Sequence, residues 1–217
     1  MASRSGYPVF ELLLVFFGVF VLQIVAGVAE TMMAMAGVVG GLFVLSPPLT
    51  DNPWTIVTSV YAHADLAHLL SNAVALVLFG WPVARATTRL RFHTFFLVSG
   101  SLAGIVQVLT TVLLAGLPII EAEPTGVLGA SGGVFALLGY LLASNRLSSS
   151  LASVFTVPRW LAITVFVVIA VTLTLATASP GVALFAHFAG LLVGLFAGSF
   201  GVLDTNSKQA RVRSRHR

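Results

Sequence analysis

Residues 181–203 read GVALFAHFAGLLVGLFAGSFGVL, an apolar run with no charge and a single histidine, His187. One helix of about 20 apolar residues crosses a hydrocarbon core of about 30 Å, so the run predicts a membrane span. Five further stretches read the same way: 8–28, 65–83, 92–114, 125–143 and 160–176. Together they predict an all-α polytopic membrane protein built as a bundle of six transmembrane helices. Stretch 8–28, ending in Ala26-Gly27-Val28-Ala29 before Glu30, also resembles a signal peptide. It exceeds the usual apolar core of about 7–15 residues in such peptides, which favours a retained span.

Composition points the same way. Of 217 residues, 58% are hydrophobic and only 8% charged, against roughly 25% charged in a soluble domain. The mean hydropathy is +1.02. A water-soluble globule and most nucleic-acid binders are thereby excluded. The absence of cysteine excludes disulfides, thiolate metal sites and a cysteine nucleophile. No cofactor is expected. Between the first two spans, residues 30–61 are apolar but broken by Ser46-Pro47-Pro48 and Asp51-Asn52-Pro53. They read as a long loop that dips into or lies on the bilayer, packed against protein.

Charge placement orients the bundle. With six spans, all eleven basic residues fall on one side: Arg4, Arg85, Arg89, Arg91, Arg146, Arg159, Lys208, Arg211, Arg213, Arg215 and Arg217. Glu30, Asp51, Asp65, Glu121 and Glu123 fall on the other. The positive-inside rule places both termini in the cytoplasm. The expected organisation is a cytoplasmic segment 1–7, a six-helix domain 8–203 and a basic cytoplasmic tail 204–217. The excess of base serves topology and anionic lipid, with no nucleic-acid partner.

Polar groups inside a bilayer are costly and each needs a reason. Gln23, Ser99, Ser101 and Gln107 read as hydrogen-bonding glue within or between helices. Gly190, Gly194 and Gly198 read as a close-packing helix face. Three places resist so simple an account. Gly129-Ala130-Ser131-Gly132-Gly133 opens the fourth span, as either a small-residue packing face or glycines that let a substrate backbone come close and free a backbone N–H at a helix start. His187 is either a satisfied structural histidine or a general base near neutral pH. His63-x4-His68-x3-Asn72 puts His68 and Asn72 on one helix face. His63, Asp65 and His68 could ligate zinc, but the spacing is not that of His-Glu-x-x-His.

Depth relates the three. Counting about 1.5 Å per residue from the outer ends of the spans, Ser131 and His187 lie roughly 9 Å down, Asn72 roughly 10 Å and His68 roughly 5 Å. A nucleophile, a base and donors would then share one level. His187 can take the Ser131 proton, and the Ser131 N–H, Asn72 and His68 can stabilise an oxyanion. None of the seven acids is expected at that depth in the fourth or sixth span, which predicts a Ser–His dyad without a carboxylate. A transporter would need polar residues continuing inward. Only Tyr140 and Ser199 follow Ser131 and His187 in their spans, so such a path stops halfway.

Gly129-Ala130-Ser131-Gly132 resembles the Gly-x-Ser-Gly motif of the rhomboid intramembrane serine proteases. His63-x4-His68-x3-Asn72 resembles their second-span signature, and Ala186-His187-x2-Gly190-x3-Gly194 their histidine span. Trp54 is similar to the tryptophan of the family's long first loop. The resemblance, covering 8–203, implies a catalytic Ser131–His187 dyad and an oxyanion and substrate-binding set of His68, Asn72 and Gly129. It assigns supporting roles to His63, Trp54 and Phe135, the last where an aromatic often stacks on the catalytic histidine. It implies cleavage of transmembrane protein substrates near their outer ends, with membrane lipids as the other partner and no metal. The compact core suggests a prokaryotic plasma-membrane enzyme. Thr55 stands where many members have arginine, Ala84 and Thr88 where glutamate and glycine are common, and Ser71 where a bulky gate residue occurs. The rival expectation is a non-catalytic rhomboid-like protein that binds membrane clients.

Overall fold

The computed structural model describes residues 7–33, 36–117, 126–144, 159–176 and 183–205. The basic residues at 4, 146 and 208–217 and the acids at 121 and 123 lie outside these residues. Long helices are α1 (Tyr7–Met32), α4 (Leu66–Ala86), α5 (Arg89–Ala115), α6 (Ser131–Ser144), α7 (Arg159–Ala176) and α8 (Leu184–Ser199). The segment between α1 and α4 holds short helices α2 (Val38–Phe43) and α3 (Thr55–Thr58), then a 3₁₀ turn at Ser59–Tyr61. Among the described residues the only β pairing is an isolated antiparallel bridge from Leu45 to Val127.

Local chemistry sets the helix limits. Asp65 caps α4, its carboxylate accepting the His68 N–H at 2.8 Å. Thr88 caps α5 through the Arg91 N–H at 3.4 Å. Such side-chain oxygens satisfy amides that a helix start leaves without partners. Within α4, Leu76–Gly80 form a π turn just before Trp81-Pro82. Proline has no N–H to give and crowds the preceding turn, and the wider turn accommodates it.

Helices α1, α4 and α5 are long and apolar enough to cross a membrane. Their outward faces carry large bare hydrophobics, among them Phe17, Leu22, Leu70, Leu78, Leu109 and Leu113. That is the surface lipid requires and water penalises. The interior is aromatic: Phe16 of α1, Phe92 and Phe96 of α5 and Tyr140 of α6 are fully buried in one cluster with Leu12 and Leu137.

Helix α6 is central, with 14 described residues against 27 in α5, roughly 21 Å of helix at about 1.5 Å per residue. It packs most intimately on α8. A Cβ at Gly190 would run into the Gly132 carbonyl, and one at Gly194 into the Ala136 carbonyl. A Cβ at Gly198 would lie 2.6 Å from the Tyr140 carbonyl oxygen. Backbone thus rides on backbone for two turns, since dispersion between close surfaces must hold helices that hydrophobicity cannot drive together in lipid. Helix α7 packs on α8, with Ala170 against Leu191 and Leu195.

At one end of the bundle, Glu11 of α1 pairs with Arg89 at 2.8 Å and His93 at 2.6 Å. Asp204 accepts the Tyr140 hydroxyl proton at 2.9 Å, its carbonyl accepts from Arg91, and Tyr140 in turn accepts the Leu203 N–H.

One sequence expectation is corrected. The fourth helix starts at Ser131, not at 125: residues 126–130 are non-helical. Their backbone bonds run to other segments, Val127 to Leu45 and the Gly129 N–H to the Ser59 carbonyl. Apolar residues alone do not separate helix from packed extended chain. Depths counted from a helix start at 125 therefore fall away, and Ser131 is reached by an extended approach. The 30–61 loop also differs, since α1 continues to Met32 and short helices occupy what reads as irregular chain.

Candidate active site

A cavity of about 950 Å³ opens between α4, α6 and the first turn of α8. His68 and Asn72 line it from α4, Gln107 from α5, Ser131 and Phe135 from α6, and His187 from α8. Four helices distant in sequence thereby contribute polar side chains to one hollow of an otherwise apolar bundle.

Ser131 is the first residue of α6, where backbone N–H groups have no partner within the helix. Just ahead, Gly129 adopts φ +137°, a conformation that side-chain-bearing residues rarely tolerate. A Cβ there would sit 2.8 Å from His68 Cε1, 3.0 Å from its Nε2 and 3.8 Å from Ser131 Oγ. The imidazole and the hydroxyl thus lie against one glycine, whose missing side chain leaves room for both.

His68 Nδ1 accepts the Ala64 N–H across a long 3.4 Å contact, an arrangement that suits a neutral ring with its proton on Nε2, the nitrogen beside Gly129. Asn72 donates one amide hydrogen to the His68 carbonyl at 3.0 Å and keeps a second for the cavity. His187 is mostly buried. Its ring stacks on Phe135 at 4.2 Å between centroids and 16° between planes. Its Nδ1 is buried without a hydrogen-bond partner among the described residues, which leaves Nε2 as the nitrogen open to the cavity. Ser131 and His187, both described residues, share the cavity wall without a hydrogen bond between them. Catalytic bonds in empty sites are often long and tighten with substrate.

Other expected site residues sit further off. His63 is fully buried, its ring 5.0 Å from Phe16 and 5.3 Å from His68. Its backbone is gripped on both sides by Gln23, at 3.0 and 3.2 Å. It backs His68 rather than lining the cavity. Trp54 is half-exposed and donates to the Gly41 carbonyl at 2.9 Å, bracing α3 against α2 away from the cavity. The Asp65 carboxylate lies at the cavity margin but is engaged in capping α4. No group of three metal-ligating side chains converges among the described residues. Ser71, Ala67 and Ala75 keep the α4 side of the cavity low. The place of Gln107 in the cavity wall was not foreseeable from its reading as glue; a lone glutamine in an apolar helix was the only signal.

Fold and cavity define a class: a multi-pass helical membrane protein with an open hollow between its helices into which polar side chains are gathered. Residues 50–203 match the sequence profile of the Rhomboid domain. RHOMBOID-like protein 4 of Arabidopsis thaliana is 30% identical over 161 residues, which are 73% of this chain and 36% of that protein. RHOMBOID-like protein 5 of the same plant is 27% identical over 147 residues, 67% of this chain and 43% of its own length. Rhomboid-related protein 1 of Caenorhabditis elegans is 28% identical over 99 residues, 45% of this chain and 24% of its own. The chain belongs to the rhomboid family. It spans less than half the length of these relatives, all of them eukaryotic.

Proposed function

We propose that the protein is an intramembrane serine endopeptidase that cleaves transmembrane helices of membrane-protein substrates near the outer face of a plasma membrane. In this reading the domain 8–203 crosses the bilayer six times, and the segments 1–7 and 204–217 are cytoplasmic. Ser131 Oγ attacks the scissile carbonyl and His187 Nε2 takes its proton. The same imidazole then protonates the leaving amine, and water entering the cavity hydrolyses the acyl-enzyme. The oxyanion is met by the Ser131 N–H, the His68 Nε2–H and the free amide hydrogen of Asn72. Gly129 leaves space for the substrate backbone. Phe135 keeps the His187 ring in plane, a task a carboxylate performs in triads.

The observation that carries this reading is the convergence of Ser131, His187, His68 and Asn72 on one cavity. The lack of a Ser131–His187 hydrogen bond keeps a second reading in play, in which the cavity holds client helices without cutting them. One experiment separates the two. Purified protein in liposomes is given a fluorescent transmembrane substrate beside Ser131→Ala and His187→Ala. The protease reading expects each substitution to reduce cleavage by about 10³-fold or more, and a fluorophosphonate to label wild type alone. Substrate that binds equally to all three proteins, with no cleavage by any, establishes the client-binding reading instead.

A further inference from the structure

Helix α8 begins without a cap of its own. The residue before it, Ala183, has φ −77° and ψ 78° and no side chain able to accept a hydrogen bond. Helices α4 and α5, by contrast, are capped in cis by Asp65 and Thr88. The third residue of α8 is Ala186, whose N–H is one of the amides a serine or aspartate cap would normally take. That N–H instead donates to the Gln107 side-chain carbonyl, Oε1, at 3.1 Å in a buried bond between residues 79 positions apart.

We propose that Gln107 is a positioning residue that caps α8 from a neighbouring helix and thereby holds His187 against Ser131. The inference rests on the protease reading. His187 immediately follows Ala186, and its own N–H makes a helical bond to the Ala183 carbonyl at 3.1 Å. The cap therefore acts on the turn from which the imidazole projects. The surroundings permit so close an approach: Ala103 of α5 packs with Ala183, Ala186 and Ala189 of α8 and its start in a small-residue cluster. Gln107 is itself buried and lines the cavity. Its amide nitrogen makes no hydrogen bond among the described residues, so the contact with α8 runs through the carbonyl alone. A displacement of α5 is carried by this bond to the first turn of α8. Phe135, on α6, controls only the plane of the ring.

The test uses the full chain in detergent micelles, wild type beside three variants. Gln107→Leu removes the acceptor at similar size. Gln107→Glu keeps an acceptor. Gln107→Leu with Ala183→Ser returns one in cis. Amide hydrogen exchange over residues 184–188 is read by mass spectrometry, with kcat and KM on a fluorescent transmembrane peptide. Gln107→Leu is expected to lower kcat by about tenfold to a hundredfold with KM within about threefold, as misplacement of a catalytic group does. Exchange at 184–188 should quicken while the α6 core stays protected, and both other variants should recover exchange and kcat. A Gln107→Leu protein with wild-type kcat, unchanged exchange at 184–188, or a loss that neither rescue reverses overturns the proposal. If Gln107→Leu does not fold, Gln107→Met carries the same comparison. Wild-type protein that neither cleaves nor takes up a fluorophosphonate defeats the protease reading, and with it the catalytic half of this proposal. The exchange result still decides the cap.

Discussion

Replacing Gly190 by alanine should uncouple the two helices that carry the proposed dyad. The added methyl would press on the Gly132 carbonyl, with its carbon 3.0 Å from the Gly132 carbonyl carbon and 3.2 Å from Cα. Carbon atoms prefer about 3.5–4.0 Å, so the helices must part by roughly 0.5–1 Å. The obstacle is backbone, which cannot turn aside as a side chain could. Overpacking of this kind costs about 1–3 kcal/mol of stability. The catalytic cost should be larger. Gly132 follows Ser131, and Gly190 lies one turn beyond His187, so the separation falls almost wholly between the proposed nucleophile and base. A misplacement of about 1 Å lowers turnover by roughly 10²-fold. Gly194→Ala is the control, since its methyl would meet the Ala136 carbonyl one turn further from the dyad. It should cost similar stability and less turnover. Thermal unfolding in detergent gives the first quantity, and kcat on a transmembrane substrate the second. Wild-type kcat and Tm in Gly190→Ala would refute the claim that backbone contact sets the distance between Ser131 and His187.

Two further predictions test the site and its support. Gly129→Ala forces a methyl against the His68 ring at φ +137°. It should lower cleavage by about 10²-fold at a stability cost of about 1–3 kcal/mol, read by substrate turnover and thermal melting on the same preparation. Tyr140→Phe removes the hydroxyl shared by Asp204 and the Leu203 N–H, and should destabilise by about 1–3 kcal/mol. Turnover per folded molecule should hold, because Tyr140 lies roughly 14 Å along α6 from Ser131; a fall in kcat as large as in Gly129→Ala would contradict that separation.

Much of the architecture was readable from single stretches. Long apolar runs announced the helices because a bilayer forces backbone polar groups to bond within their own segment. Helix ends were less legible. The approach to Ser131 is as apolar as a span yet extended, because its partners at Leu45 and Ser59 are remote in sequence. His63 and His68 belong to one motif, but only packing separates them, burying one ring behind Phe16 and leaving the other at the cavity. Gln23 and Gln107 were both recognisable as polar residues in need of partners. Neither partner could be named, since each is a backbone group on a distant segment.

Sequence alone determined the solvent this chain folds in, the helical form that solvent imposes and the residue types able to do chemistry. Hydropathy and charge act locally, residue by residue, and need no knowledge of neighbours. Tertiary structure alone decided which of those residues share a cavity and which merely brace it. That outcome depends on how closely α6 and α8 approach, which is set by the absent side chains of Gly190 and Gly194 on α8 and of Gly139 on α6, where each helix lies against the other's backbone.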